Sequence, residues 1–214
     1  MQSIMIFNSK VGLGKNTVST NLASYFALQG EKMVLAGLDF QFSSLEGLAN
    51  RPCGGSLITG IGASKDIFRA PRKVDYIIYN TPAAILTNDI THYLRRAQSV
   101  IISVLPVPID MRAVTLFIQN VLANGGVIRK NCRVALIANR CTENTNHFQQ
   151  SAIYIKKVRK TPFLSALRKI LNYNKASEKK QRIFELLPYP VGRDLGQWEP
   201  IIKWLISKRS QPEN

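Results

Sequence analysis

Short runs of almost wholly apolar residues recur along this chain, and segments with helical signals separate them. The runs cover residues 4–7, 32–38, 76–79, 99–105 and 133–139. A strand that is apolar on both sides of its pleat must be covered on both faces, which requires a parallel sheet between two layers of helices. The expected helices cover residues 16–29, closed by Gly30, then 88–97, then 112–122, stopped by Gly125 and Gly126. Helical patterns also cover 151–160 and 165–175, and a terminal helix is expected over 200–208 with Pro200 in its first turn. Residues 39–70 hold Pro52, Gly54, Gly55, Gly60 and Gly62 and read as irregular loops with short helices. The expected fold is one α/β domain over residues 1–214. It is a three-layer sandwich whose twisted, mostly parallel sheet carries helices on both faces, with ligands expected at the carboxyl ends of the strands.

The length of 214 residues suits a single hydrophobic core, and an apolar fraction of 45% argues against disorder. Charge is the unusual quantity. The chain has 29 basic and 13 acidic residues, a net +16, which attracts polyanions such as nucleic acid or an anionic membrane surface. Cys53, Cys132 and Cys141 are odd in number and lack metal spacing, so reduced, partly buried thiols are expected. The apolar start is too short for a signal peptide, and the run at 100–109 is about half a membrane span and contains Pro106 and Pro108. A soluble intracellular protein is expected. His92 and His147 have no partner at metal or triad spacing and read as structural.

Directly after the first apolar run comes Ser9-Lys10-Val11-Gly12-Leu13-Gly14-Lys15-Asn16-Thr17. A glycine-rich turn between strand and helix lets backbone N–H groups close around phosphates, the helix start adds favourable partial charge, and a lysine reaches the oxygens. The strict pattern G-x-x-x-x-G-K-[ST] fails here, because Ser9 stands at its first glycine and Asn16 at its hydroxyl position.

The segment resembles instead the deviant Walker A loop of the ParA/MinD family, K-G-G-x-G-K-[ST]-[ST], at Lys10, Gly12, Gly14, Lys15 and Thr17. Residues 34–41 look like that family's V-L-x-D-x-D-P-Q segment, and residues 75–83 look like its Walker B strand. Residues 101–110 are similar to its next strand and P-x-x-x-D turn, and Asn139-Arg140 to the pair that meets adenine. The likeness runs in order over roughly residues 1–142 and is weaker beyond. It implies a P-loop NTPase-like fold that binds ATP or ADP through Lys10, Val11, Gly12, Leu13, Gly14, Lys15, Asn16, Thr17, Asn139 and Arg140. In such proteins two subunits close over two nucleotides in a nucleotide-dependent homodimer. Lys10 would cross to the partner's phosphates and Asp39 would position the attacking water. The implied role is a switch that distributes plasmid, chromosome or protein cargo over nonspecific DNA, in the cytoplasm and on the nucleoid, with an activating or adaptor protein as partner.

The chemistry is altered where the family holds Mg²⁺. Asn16 replaces the hydroxyl residue and Asn80 the Walker B aspartate, while Gly37 replaces the first aspartate of the D-x-D pair and Val11 a glycine. Hard Mg²⁺ favours anionic oxygens, and phosphoryl transfer depends on it, so weak Mg²⁺ binding and weak or absent hydrolysis are expected. An alternative is a pseudo-ATPase scaffold that binds DNA or a partner constitutively. The basic residues Arg168, Lys169, Lys175, Lys179, Lys180 and Arg182 are the expected DNA-contacting set, within a cluster that also includes Lys156, Lys157, Arg159 and Lys160. A further alternative is a MinD-like membrane factor, since residues 201–209 are amphipathic and basic. Their apolar residues exceed one narrow stripe, as in a helix docked on the sheet, so a membrane partner is not expected.

Overall fold

The computed structural model describes residues 1–8, 10, 12–37, 58–62, 71, 73–82, 94–123, 132–142 and 161–207. The helix expected over 151–160, most of that over 88–97, and Ser9, Val11, Asp39 and Cys53 lie outside these residues. The elements are β1 (Gln2–Phe7), α1 (Lys15–Leu28), β2 (Met33–Gly37), β3 (Ile58–Gly62), β4 (Tyr76–Asn80) and β5 (Ser99–Val104), then α2 (Pro108–Ala123), β6 (Arg133–Cys141), β7 (Phe163–Arg168), α3 (Leu171–Glu178), a 3₁₀ turn (Ile183–Glu185) and α4 (Pro188–Ile206).

Among the described residues the strands form a seven-stranded sheet in the order β3-β2-β4-β1-β5-β6-β7, and every pairing is parallel. Side chains alternate between the two faces because the strand period is two. Met5, Phe7, Ile77 and Ile102 point to one face, where Met111, Val114 and Ile118 of α2 cover them. Ile4, Ile6, Ile78 and Ile101 point to the other, under Val18, Leu22 and Phe26 of α1 and Trp198, Ile201 and Leu205 of α4. That double burial is why the strands read as continuous apolar runs, and it makes the three layers.

Three local expectations are corrected. The pattern over 165–175 divides into strand β7 and helix α3: β7 pairs with β6 and buries Leu167, and sheet pairing overrides the local helical period. Within 39–70 lies β3, which pairs with β2 from Met33↔Ile58 to Gly37↔Gly62. It is a glycine-rich, half-exposed edge strand, so no apolar run announces it. The terminal helix begins at Pro188, and Pro200 lies inside it. An interior proline costs about 3 kcal/mol. Burial of Val191, Trp198, Ile201 and Leu205, at about 1.5–3 kcal/mol each, outweighs that cost.

The end of α4 is tied down further. Gln2 Nε2 donates to Leu205 O at 2.9 Å and Arg133 Nη1 to Trp204 O at 3.0 Å, with the Arg133 guanidinium 4.2 Å from the Trp204 ring centre. The helix that an amphipathic membrane anchor would need therefore already has its apolar face on the sheet. Among the described residues no helix is long and apolar enough to cross a membrane.

Candidate functional site

Strand β1 ends at the middle of the sheet, between β4 and β5. From β1 the chain goes to β2 on one side, whereas the step from β4 to β5 crosses to the other. The carboxyl end of β1 is thus the point where strand order reverses, the usual ligand position in an open parallel sheet.

Gly12 and Gly14 of the loop that follows have φ of 83° and 78°. Both conformations are costly for residues with a Cβ. At Gly14 space is closed as well, since a Cβ there would lie 2.3 Å from Asn139 Nδ2. Helix α1 starts on Gly14 with no side-chain cap and no acid in its first turn, so no carboxylate of that turn competes for its positive end. Lys15 is 7% exposed and its Nζ donates to Asn8 Oδ1 at 2.5 Å, holding the amine beside the end of β1.

The loop is braced from the neighbouring strands. The carbonyl of Leu13 accepts from Ser103 Oγ on β5 and from Asn139 Nδ2 on β6, each at 3.0 Å. Arg140 Nη1 donates to Gly12 O at 2.9 Å. Arg140 itself has φ of 54°, a left-handed conformation that costs a side-chain-bearing residue about 1–2 kcal/mol. Its N–H bonds to Asn139 Oδ1 at 2.8 Å, which helps hold that geometry. Asn139 and Arg140, assigned to adenine by resemblance, thus bond to carbonyls of the glycine loop. Lys10 pairs with Asp110, a buried carboxylate in the first turn of α2, while Lys10 itself stays half exposed.

Asn16 and Asn80 meet: Asn80 Nδ2 donates to Asn16 Oδ1 at 2.7 Å. Neither side chain carries charge, the Asn16 oxygen already accepts an N–H, and the one oxygen of the pair left without a hydrogen bond is the neutral, buried Asn80 Oδ1. This donor set does not fit Mg²⁺, which selects several hard, preferably anionic oxygens aimed at one point. Thr17 lies on the helix just beyond, and with Asn16, Thr20 and Asn21 it lines a polar cavity of about 200 Å³ that Tyr173 and Arg182 close from the other side.

The six expected DNA-contacting residues divide. Lys169, Lys175, Lys179 and Lys180 are exposed on and around α3. Arg168 instead forks onto the buried Asp194 of α4, which Asn172 Nδ2 also meets at 3.0 Å. Arg182 is buried against the 3₁₀ turn, and burial lowers its pKa. These two guanidiniums hold the fold together and do not belong to the open basic face.

Sequence reasoning gave no role to Asn8, Ser103 or Asn21, and met Asp110 only as the last residue of the P-x-x-x-D turn. Asn8 is a polar residue just past the end of β1, a signal that position alone supplies, and Asp110 lies in the first turn of α2. Asn21 ties α1 to the 3₁₀ turn by accepting from Ile183 N at 2.8 Å, and Ser103 is one hydroxyl inside an apolar strand; neither contact is visible before folding. Beside the site, burial pushes the Cys141 thiol up to about 12. At pH 8 its thiolate fraction is then on the order of 10⁻⁴. Alkylation of Cys141, followed by peptide mass mapping, is expected to be at least about a hundredfold slower in the native protein than in denaturant.

An all-parallel sheet with a glycine loop and a buried lysine at its switch point is the fold of a P-loop nucleotide-binding protein. The family described as the CobQ/CobB/MinD/ParA nucleotide binding domain matches residues 4–183, and the chain belongs to that family. No curated protein sequence matches it significantly. Among solved structures, the chain is similar to the MinD cell division protein of Aquifex aeolicus, with a TM-score of 0.73 at 15% identity over 100% of both chains. It is also similar to an ATP complex of a McdA variant from Cyanothece, with a TM-score of 0.75 at 15% identity over 94% of this chain and 96% of that one. A third is the ParA of pNOB8 bound to nonspecific DNA, with a TM-score of 0.55 at 18% identity over 75% of this chain and 78% of that one. At such identities the likeness is one of fold.

Proposed function

We propose that this chain is a ParA-like nucleotide-binding switch that works from the cytoplasm on the nucleoid, where it positions plasmid, chromosome or protein cargo. The observation that carries this reading is the loop itself: two left-handed glycines, a buried lysine and an acid-free helix start converge on the switch point of the sheet. The backbone from Gly12 to Gly14, with Lys15, Asn16 and Thr17, would hold the phosphates of ATP or ADP. Val11, which lies outside the described residues, stands between Lys10 and Gly12 in the sequence and would share in that binding. Lys10 would reach a second subunit's nucleotide in a homodimer, and to do so it must leave Asp110. Asp39 would position water, and hydrolysis is weak because Asn16 and Asn80 replace the metal-anchoring groups. Release would be governed by an adaptor or activating protein.

Nonspecific DNA is the proposed polyanion, and Lys169, Lys175, Lys179 and Lys180 are its proposed contacts, without base readout. The neighbouring fold bound to nonspecific DNA supports this choice. The test is fluorescence anisotropy with random-sequence duplex DNA, with and without ATP. Binding is expected to need ATP and to weaken steeply with salt. Changing Lys175, Lys179 and Lys180 together to Ala is expected to flatten the slope of log K against log salt by about 3. An unchanged slope would remove α3 from the DNA face. The second reading, a non-catalytic scaffold, is favoured by the two neutral amides at the metal positions. DNA binding that is indifferent to ATP would select it.

A further inference from the structure

In a strict phosphate loop, a hydroxyl after the lysine and a carboxylate at a strand end hold a divalent cation, directly or through water, and the cation bridges the phosphates. The two corresponding side chains here, Asn16 at the start of α1 and Asn80 at the end of β4, are hydrogen-bonded to each other. Asn80 is 1% exposed, so water competes little for that bond. The amide pair spans the same two elements that a shared cation would join. It also aims an N–H at the Asn16 oxygen, so a cation could use that oxygen only after the pair had opened. Among the described residues no three His, Cys, Asp or Glu side chains gather as alternative ligands. Positive charge at this loop comes from Lys15 and from the acid-free start of α1, while Lys10 is paired with Asp110.

We infer that this chain binds its nucleotide in the metal-free form, with the Asn16–Asn80 amide clasp taking over the structural task of the divalent cation. The inference rests on the nucleotide reading above and narrows the ligand to an uncomplexed nucleoside di- or triphosphate. Such a ligand carries more negative charge than its Mg²⁺ complex, and a lysine with a helix N-terminus suits it without a metal. The amide pair meanwhile keeps the loop-bearing helix joined to β4 whether or not nucleotide is bound.

The test is calorimetric titration of the full chain with ATP, once with excess Mg²⁺ and once with EDTA. The dissociation constants are expected to agree within about threefold. A loss of about tenfold or more in EDTA would overturn the inference while leaving the nucleotide reading intact. No binding in either buffer would overturn the nucleotide reading and this inference with it. Titration of Mn²⁺ alone, followed by electron paramagnetic resonance, is expected to show no stoichiometric site, and a tight one would count against the clasp. The double variant Asn16→Thr with Asn80→Asp, checked for folding by circular dichroism, is expected to gain about tenfold in ATP affinity from Mg²⁺. If it folds and remains as indifferent to Mg²⁺ as the parent, the amides are not the cause. If it does not fold, the two buffers and the Mn²⁺ titration still decide.

Discussion

Lys15→Ala is expected to weaken ATP binding by about ten- to a hundredfold, read by calorimetry. A hydrogen bond from a charged donor contributes about 1.5–3 kcal/mol, and each 1.4 kcal/mol is a factor of about ten. The amine is buried and already directed to the end of β1 by Asn8, so little further ordering is needed when a phosphate arrives. The fold should survive the change. The Asn8 carbonyl loses a donor, which costs about 1 kcal/mol and lowers the melting temperature by about 2–4 °C. Loss of binding can then be separated from loss of structure in one sample. Unchanged affinity would mean that the glycine loop is not the phosphate site.

The largest effect on stability is expected at Trp198, in α4. Its ring is fully buried, meets Phe184 and Tyr173 edge-on, and donates from Nε1 to Tyr173 Oη at 3.0 Å. Trp198→Ala removes that packing and strands a hydroxyl partner, a loss of about 3–5 kcal/mol. Against a usual total of about 5–15 kcal/mol, that is a third or more of the stability. The urea midpoint is expected to fall by on the order of 1–2 M. A shift well under half that size would show that α4 is not docked in solution, and the membrane-seeking reading of the chain's end would regain its physical basis.

Much of the layer structure was legible because burial on both faces leaves an unambiguous trace. Ile4–Ile6 and Ile77–Ile78 are apolar at consecutive positions, as strands covered on both faces are. The glycine loop was legible for a related reason: Gly12 and Gly14 occupy backbone conformations that few other residues accept, so chain geometry is written directly as residue type. The edge strand β3 and the division between β7 and α3 were not legible, since pairing partners distant in sequence decided them.

The charge of the chain shows a similar division. Composition announces a basic surface of +16, but it does not say which guanidiniums are committed to the interior. Asp194 lies 26 residues from Arg168, and only their meeting across β7 and α4 takes that charge off the surface. The same holds at the loop, where Asn16 and Asn80 are separated by 64 positions and each alone reads as a weakened metal ligand.

By itself, then, the amino-acid order determined a covered parallel sheet, a glycine-rich turn after the first strand, and neutral amides at the two positions where the family resemblance places a hydroxyl and a carboxylate. These are properties of single residues and short periods: apolarity at adjacent positions, positive φ at glycine, a neutral amide where an anion is usual. Only the tertiary structure decided that the two amides clasp each other, that Asn139 and Arg140 brace the loop, and that α4 covers the sheet through Pro200. Those are contacts between segments far apart in the chain, and their energies do not exist until folding brings the partners together.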